Sequence, residues 1–294
     1  MTVFEMPTCF DRTTLAALSD LRSARWKEVF VSLEKQQTDF LSHEKEFRSK
    51  EYKWPSDALH NWSRIWEYPF AYHNIEKWRK SLPANSQPVI VDLGSGVTFF
   101  PYAIAKLETK VVCTDIDPIC GADLDRASRV ISAGRGSVEF RLGSEERLPI
   151  ESQEADLVYC ISVIEHVPRV ERLIREVQRI LKPGGRFILT LDLDMRGDQQ
   201  IGIAEFYRLQ ELLNDMFVSL APIRATHHAD VLTSETGPIR PRLRPWWRVP
   251  PFLAKQWLIK PLLGRPPAPL VPLHCAVQGL ILQKPQAPEP CDIS

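Results

Sequence analysis

The spacing of apolar residues divides the chain into a helical N-terminal part and a part in which strands and helices alternate. From about Leu15 to Phe47, apolar residues recur at helical spacing among many charges, which predicts one or two amphipathic helices. Trp54-Pro55 interrupts this pattern. A second helical segment is predicted from Ser56 to Lys80, and its many aromatic rings require a surface to pack against. We favour packing of these rings on the main domain over direct contact with a substrate.

After Pro88, short apolar runs alternate with helical segments, which predicts an α/β fold with a doubly wound, mostly parallel sheet. A helix with a clear apolar stripe precedes the fifth strand and ends at Pro183-Gly184-Gly185. Another amphipathic helix is expected after Asp194. The sheet is predicted to be seven-stranded, with strands at Val89 to Leu93, Lys110 to Thr114, Val138 to Leu142, Ala155 to Ile161, Arg186 to Leu191, Phe217 to Ile223 and Cys275 to Leu282.

The stretch from His227 to Pro272, before the last predicted strand, is rich in Pro and Trp and is interpreted as an insertion. From Thr236 to Pro288 there is no Asp or Glu, while Arg and Lys alternate with Trp, Phe and Leu. Two interpretations stay open: a lid over a site, or a segment that makes peripheral contact with an anionic membrane surface. The expected parts are an N-terminal helical extension (1–87), a core (88–226), the insertion (227–272), the last core strand (273–284) and a flexible tail (285–294).

Composition narrows the class of protein without changing this picture. Lys plus Arg and Asp plus Glu both total 37, so no overall charge points to nucleic acid. The chain shows no signal-peptide core and no stretch near the ~20 apolar residues that a spanning helix needs. A cytoplasmic protein is therefore expected. Its cysteines form no CxxC pair, which fits a reducing compartment; they are Cys9, Cys113, Cys120, Cys160, Cys275 and Cys291.

Candidate chemistry begins where the first core strand ends. Gly94 and Gly96 follow this strand directly and precede a helix expected near Pro101. Glycines let the backbone approach a ligand, and a helix N-terminus favours an anionic group. Asp115 ends the second strand roughly twenty residues later, where a carboxylate can take both hydroxyls of a ribose. A nucleoside ligand is therefore predicted, with Asp117 as a competitor whose ordinary role would be to cap the helix after it.

Together with further motifs, these residues resemble those of class I S-adenosylmethionine-dependent methyltransferases of the bacterial biosynthetic small-molecule type. The similarity extends from about Pro88 to Leu193 and links separate segments in the order found in that family, which has a Rossmann-like fold. The segments are Asp92-Leu93-Gly94-Ser95-Gly96, Asp115, Leu148-Pro149-Ile150, Ala155-Asp156-Leu157-Val158, Ile164-Glu165-His166-Val167 and Leu181-Lys182-Pro183-Gly184-Gly185.

The resemblance implies S-adenosylmethionine as cofactor. By position, the glycine turn would hold its methionine part, Asp115 its ribose, the loop after the third strand its adenine, and the end of the fourth strand would line its sulfonium. This chain has Ser144 where the family often has an acid, and no third glycine after Gly96, which also disfavours a nicotinamide dehydrogenase. The expected cofactor-binding residues are Asp92, Gly94, Ser95, Gly96, Asp115, Ile116, Ser144, Glu145, Cys160 and Ile161.

The candidate general bases are His166 and Glu165, which follow the fourth strand, with His227 and His228 as second choice. Capping of a following helix and hydrogen bonding within the loop are the alternative roles for Glu165 and His166. The residues from Cys160 onward lack the Asn-Pro-Pro-Tyr-like turn of nucleic-acid base methylases, so no nucleic-acid substrate is expected. No metal-ligand spacing is seen. The favoured acceptor is a hydroxyl on a small or lipid-linked molecule, with N-methylation or a non-catalytic binding subunit as alternatives.

Overall fold

The computed structural model describes residues 8–144, 146–195, 201, 203–240, 249–259 and 274–286. Within these residues the fold is built on one sheet of eight strands in the spatial order β1-β8-β6-β5-β2-β3-β4, with β7 also paired to β8. The five strands from β2 to β6 run parallel, and β8 is antiparallel to its neighbours. The strands are β1 Thr14–Leu15, β2 Val89–Leu93, β3 Lys110–Asp115, β4 Ser137–Leu142, β5 Ala155–Ile161, β6 Leu181–Asp194, β7 Val218–Ser219 and β8 Cys275–Gln283.

The predicted doubly wound, mostly parallel α/β fold is confirmed, with eight strands in place of seven. The extra strand lies in a region predicted to be helical: Leu15 belongs to β1 because the backbone there pairs with Gln278 of β8. The first long helix begins only after Ser23, whose side chain accepts a hydrogen bond from the Trp26 N–H as an N-cap. The helices are α1 Ala24–Ser42, α2 Glu44–Phe47, α3 Arg64–Lys80, α4 Phe100–Ala105, α5 Pro118–Ala127, α6 Val170–Ile180, α7 Ile203–Met216 and α8 Val249–Ala254.

Helix α3 packs the aromatic N-terminal segment directly onto the sheet. Trp66 and Phe70 are fully buried, and their rings stack with centroids 4.7 Å apart. Both rings lie against Gly279 of β8, where an added Cβ would come within 2.7 Å of each. The expectation that these rings pack on the main domain is therefore confirmed for this part of α3. The helix is buried on almost every side, so it carries polar residues such as Glu67 into the interior.

The region after α7 departs from the prediction in two ways. Strand β7 spans two residues in place of Phe217 to Ile223, because Pro222 follows closely and has no N–H to extend the pairing. The start of the insertion was expected to lie apart from the sheet, but Thr233 forms a β-bridge with Ala276 and Leu232 is fully buried. Among the described helices, none has the length and apolar character needed to cross a membrane.

Candidate active site

A cavity of about 600 Å³ opens at the carboxyl ends of the central strands. It lies where the chain order reverses, since β2 has β3 on one side and β5 on the other. In open α/β sheets this switch point is where ligands bind. The volume lies within the range of roughly 300 to 1,000 Å³ that is typical of small-molecule sites. Its walls come from the ends of the central strands, from α3 and from the loop before α3.

The glycine turn after β2 forms one wall of the cavity. Gly94 and Gly96 have φ values of 70° and 52°, which favour glycine. A Cβ on Gly94 would lie 2.6 Å from a Val163 methyl, and one on Gly96 would lie 2.9 Å from the Tyr52 hydroxyl. The turn is also held from β3, since the N–H groups of Gly94 and Ser95 both donate to the Thr114 carbonyl. The backbone is thus fixed in position where it borders the cavity.

Asp115 faces the cavity at the end of β3 and is oriented by two backbone hydrogen bonds. Its carboxylate accepts from the Gly96 N–H and from the Asp117 N–H, each at 3.0 Å. A carboxylate has about four acceptor positions, so each oxygen keeps capacity for a ligand hydroxyl. Asp117 instead accepts from the Ile119 N–H at 3.0 Å and caps α5. Only Asp115 of this pair lines the cavity.

The loop after β4 borders the cavity beside Asp115. Ile116, Ser144 and Leu148 line this end, and the Ile116 side chain is exposed. The Ser144 hydroxyl accepts from the Arg147 N–H at 3.1 Å, so it organises the loop itself. Glu145, the other expected adenine contact, lies outside the described residues.

Strand alternation decides which residues at the end of β5 reach the cavity. Tyr159 and Ile161 line it, whereas the fully buried Cys160 side chain packs in the apolar cluster on the opposite face of the sheet. Of the two expected residues, Ile161 therefore borders the cavity and the Cys160 side chain points away from it, because neighbouring residues of a strand point to opposite faces. The sequence interpretation missed Tyr159, which the same alternation could have found two positions before Ile161.

Asp92 lies beneath the glycine turn and also borders the cavity. It is only 6% exposed. Burial raises the pKa of this carboxyl group to about 8; the nearby Tyr159 hydroxyl opposes the rise and the negative charge of Asp115 adds to it. Asp92 is therefore largely protonated at neutral pH until a positive charge approaches.

The other end of the cavity is built by the N-terminal extension. Trp54, Trp62 and Tyr68 line it together with Arg64. Trp62 and Tyr68 belong to the buried core, which agrees with the expected packing of the rings between Ser56 and Lys80, and they also border the cavity. Tyr52 joins the two ends, since its hydroxyl accepts from the Val97 N–H at 2.9 Å next to the glycine turn.

Beneath these rings lies a buried ion pair between Arg64 and Glu67. The Glu67 side chain is fully buried, and its Oε2 lies 2.5 Å from Arg64 Nη1. Its Oε1 accepts from the hydroxyls of Ser162 and Thr190, each at 2.6 Å. Burial lowers the pKa of Arg64, but the negative charge of Glu67 raises it by more than this. The net pKa lies above its usual value, so the guanidinium stays positive. This pair ties α3 to the carboxyl ends of β5 and β6.

The candidate bases lie in a short 3-10 turn, Ile164–His166, after β5. His166 lines the cavity, and burial together with the charge of Arg64 lowers its pKa, which keeps it neutral at pH 7. Glu165 does not line the cavity; its Oε1 accepts from the Asp192 N–H at 3.3 Å. Neither residue caps the next helix, because α6 follows Arg169 and has no side-chain cap. The hydrogen bond that Glu165 accepts fits the other alternative role, loop hydrogen bonding.

The second-choice bases, His227 and His228, do not reach the site. Their rings lie together, with centroids 4.4 Å apart, and neither is among the described residues that line the cavity. Asp192, which no sequence motif singled out, does line it from the end of β6.

Comparisons with known proteins fit this geometry. Residues 91–189 match the family model described as a methyltransferase domain. A ubiquinone biosynthesis O-methyltransferase of Xanthomonas euvesicatoria is 32% identical over 103 residues, which cover 34% of this chain and 41% of that protein. Over these residues the chain is similar to S-adenosylmethionine-dependent methyltransferases.

Two further comparisons show how far this similarity extends. A ubiquinone/menaquinone biosynthesis C-methyltransferase of Rubrivivax gelatinosus is 30% identical over 125 residues, covering 42% of this chain and 44% of that protein. The chain thus spans less than half the length of the curated relatives it matches. A crystal structure of a (4+2)-cyclase, SpnF, aligns with a TM-score of 0.51 and 17% identity over 87% of this chain and 96% of that chain. At this identity the match shows the fold alone.

The cofactor of this methyltransferase domain is S-adenosylmethionine, and the observed residues fit it. The glycine turn borders the cavity, and a Cβ at Gly94 or Gly96 would displace Val163 or Tyr52 from the positions they hold beside it. Asp115 presents a preoriented carboxylate with capacity for two ribose hydroxyls. Asp92 offers a buried acid that becomes negative when a cation is near, and the cofactor carries a positive sulfonium and a positive amino group. We expect these residues to hold the cofactor.

Proposed function

We propose that this protein transfers the methyl group of S-adenosylmethionine to a hydroxyl group of a small-molecule or lipid-linked acceptor. One observation carries the proposal: the cavity that Asp115 lines is also lined by Trp62 and Tyr68 of the N-terminal extension, which form an aromatic chamber at its other end. A protein that only bound the cofactor would have no use for this additional aromatic lining. Methyl transfer needs mainly alignment of the acceptor with the activated methyl group, which a shaped chamber provides.

The character of this chamber favours an acceptor with an apolar body and a polar reacting group. Its rings, Trp54, Trp62 and Tyr68, suit an aromatic ring or a prenyl chain. Arg64, His166 and Asp192 place ionisable groups beside them. The names of the relatives, O- and C-methyltransferases of ubiquinone biosynthesis, support the same kind of acceptor.

The direct test uses S-adenosylmethionine with an isotopically labelled methyl group and a catechol that carries a short prenyl chain. We expect labelled product with the wild-type protein and none with the same catechol after both hydroxyls have been methylated. Calorimetry with S-adenosylhomocysteine measures cofactor binding separately. Cofactor binding without transfer to the catechol, to a simple phenol or to a prenylated aniline would contradict the proposal and favour a binding subunit. Transfer to the aniline alone would identify an N-methyltransferase.

We further propose that a lipid-linked acceptor is met at an anionic membrane surface through the basic insertion. Helix α8, Val249–Ala254, lies in this insertion. The turn after it presents Trp257 and Leu258, which are 66% and 65% exposed, next to the exposed Lys255. Exposed rings beside cations favour the headgroup region of anionic lipid. In this arrangement the protein contacts the membrane from one side and does not cross it.

Co-sedimentation with vesicles tests this contact. We expect binding to phosphatidylglycerol vesicles at low salt, weaker binding at high salt, and little binding to phosphatidylcholine vesicles. The double variant Trp257→Ala, Leu258→Ala should lose most of the binding. The matched control, Val31→Ala with Tyr207→Ala, removes two exposed apolar side chains from other helices and should bind as the wild type does. Equal binding to both vesicle types would leave the lid interpretation alone.

A further inference from the structure

We propose that Asp192 is the residue that receives the proton of the acceptor hydroxyl, and that Glu165 is the second carboxyl group of a pair with it. This inference rests on the proposed function, since it assigns a role within that reaction. Three independent observations lead to it: the position of Asp192 in the cavity wall, its lack of hydrogen-bond donors, and the balance of charges around it.

The position follows from β6. Thr190 and Asp192 lie two residues apart on this strand, so their side chains share one face. Thr190 donates to Glu67 of α3, which identifies this as the face that α3 covers. Asp192 lies one step nearer the carboxyl end of the strand, where the sheet opens into the cavity that it lines. It therefore reaches the acceptor chamber from the opposite side to the glycine turn.

The Asp192 carboxyl group lacks donors in the part of the chain that the structure describes. Its Oδ1 is buried without a hydrogen-bond partner, and so is Oε2 of Glu165. The main chain links the two residues, because the Asp192 N–H donates to Glu165 Oε1. Buried carboxyl oxygens without donors are costly and uncommon. A donor that enters through the cavity, such as a hydroxyl group of the acceptor, would satisfy Asp192.

The charges around Asp192 and Glu165 favour a bound proton on this pair of carboxyl groups. Arg64 and Glu67 from α3 neutralise each other as a bonded ion pair. Cys275 of β8 also faces the pair, while His166 lies in the same turn as Glu165. Burial raises the pKa of Glu165 to about 7, and the negative charge of Glu67 adds to this rise. Burial also raises the pKa of Asp192 well above its ordinary range, and the charges of Glu67 and Glu165 add to it. Both carboxyl groups therefore favour a bound proton, and the charge of Glu165 affects the titration of Asp192.

The reaction balances with this assignment. S-adenosylmethionine, held by the glycine turn and Asp115, would supply an activated methyl group. Its S–C bond would break with the electron pair on sulfur as the acceptor oxygen formed the O–C bond. The acceptor O–H proton passes to the carboxylate of the Asp192–Glu165 pair and is later released to water. His166 is a weaker candidate for this step, because its ring has no hydrogen bond to a described residue that would orient it.

Two isosteric variants, Asp192→Asn and Glu165→Gln, test the proposal, with Asp125→Asn on the exposed face of α5 as the matched control. The first readout needs no acceptor: infrared difference spectra at pH 7 for the C=O stretch of protonated carboxyl groups. We expect each variant to lose a protonated-carboxyl signal that the wild type and the control keep. Spectra in which neither variant differs from the wild type would overturn the carboxyl pair. Asp92 contributes its own signal to all four proteins and cancels in the differences.

The second readout is transfer to the prenylated catechol. With wild-type protein, kcat/KM should rise with pH as the pair loses its proton. Asp192→Asn should lower kcat by about 100-fold or more and abolish this rise, while S-adenosylhomocysteine affinity stays unchanged. Glu165→Gln should move the pH profile with a smaller loss of kcat. Transfer by Asp192→Asn at the wild-type rate would overturn the assignment, whereas a wild type that binds the cofactor but methylates none of the acceptors would instead refute the proposed function.

Discussion

The two ends of the cavity are built by different means. At the cofactor end the chain folds on itself locally: the main-chain N–H groups of Gly94 and Gly96 bond to Thr114 and Asp115, about twenty residues away. At the acceptor end, side chains from distant segments meet, since Glu67 of α3 takes hydrogen bonds from Ser162 and Thr190, 95 and 123 residues further along. The first end is defined by backbone geometry and the second by the pairing of buried polar groups.

This difference determines what each end tolerates. At the cofactor end, a side chain added at Gly94 or Gly96 would clash with its neighbours and shift the turn. A nearby substitution that adds no volume would leave the turn in place. The acceptor end holds several carboxyl groups around one guanidinium, so a change of charge there disturbs folding itself. Substitutions that alter charge should therefore affect stability at the acceptor end and ligand affinity at the cofactor end. Four predictions follow this contrast, ordered by the expected size of the effect.

Arg64→Met should cause the largest loss, because it leaves Glu67 buried and unpaired in the interior. Removing one partner of a buried ion pair typically costs about 3 to 5 kcal/mol of unfolding free energy. Urea unfolding at pH 7 measures the change. The control is Arg175→Met, which breaks the exposed pair with Glu171 and should cost about 1 kcal/mol or less. Equal losses in the two variants would show that the Arg64–Glu67 pair does not stabilise the acceptor end.

Asp115→Ala should weaken the cofactor end with less effect on folding. It removes the expected ribose contact and the hydrogen bond that orients the Gly96 N–H. We expect the Kd for S-adenosylhomocysteine to rise at least 100-fold, equivalent to about 2.7 kcal/mol. Asp117→Ala is the matched control, since it removes the cap of α5 and should cost about 1 kcal/mol of stability while the Kd changes little. Similar Kd values for both variants would contradict the assignment of Asp115.

Asp92→Asn should make the protein less sensitive to alkaline pH in the absence of cofactor. The pKa of Asp92 is about 8 in the folded protein and near 3.9 in an unfolded chain. Between these values the folded state keeps a proton that the unfolded state has released, so this group makes stability fall as pH rises. Asparagine mimics the protonated acid and removes that loss.

The measured quantity is the unfolding free energy of Asp92→Asn minus that of the wild type. We expect it to be greater at pH 8 than at pH 5 by roughly 1 to 3 kcal/mol. Asp125→Asn, at an exposed position, should show no such trend. A difference that is constant with pH would show that Asp92 is ionised throughout this range.

His166→Ala should have the smallest effect. Its ring borders the chamber and stays neutral, so we expect it to help place the acceptor. Transfer should slow by about 10-fold, equivalent to about 1.4 kcal/mol, with cofactor affinity unchanged. Steady-state kinetics with the prenylated catechol measures the rate. Unimpaired turnover would remove His166 from the mechanism.

The sequence alone was sufficient to locate the strand ends and the glycine turn at the cofactor end. Strands β2 and β5 have the predicted bounds, because a run of buried apolar residues that ends in glycine or polar residues is a local signal. Gly94, Gly96 and Asp115 were likewise found from neighbouring residues, since the turn and the strand end form within short segments. Pairing of β2 with β3 brings the Asp115 carboxylate next to the Gly96 N–H.

Only the tertiary structure decided which residues meet at the acceptor end. Nothing near Glu67 in the sequence indicates that Ser162 and Thr190 will satisfy it, and no motif marks Asp192. Sequence reasoning named Cys160 with Ile161, whereas the facing of β5 turns the Cys160 side chain away from the cavity and brings Tyr159 to it. Burial, charge pairing and the shape of the chamber depend on how α3 packs across β5 and β6. Those contacts join residues far apart in the chain, which local periodicity does not encode.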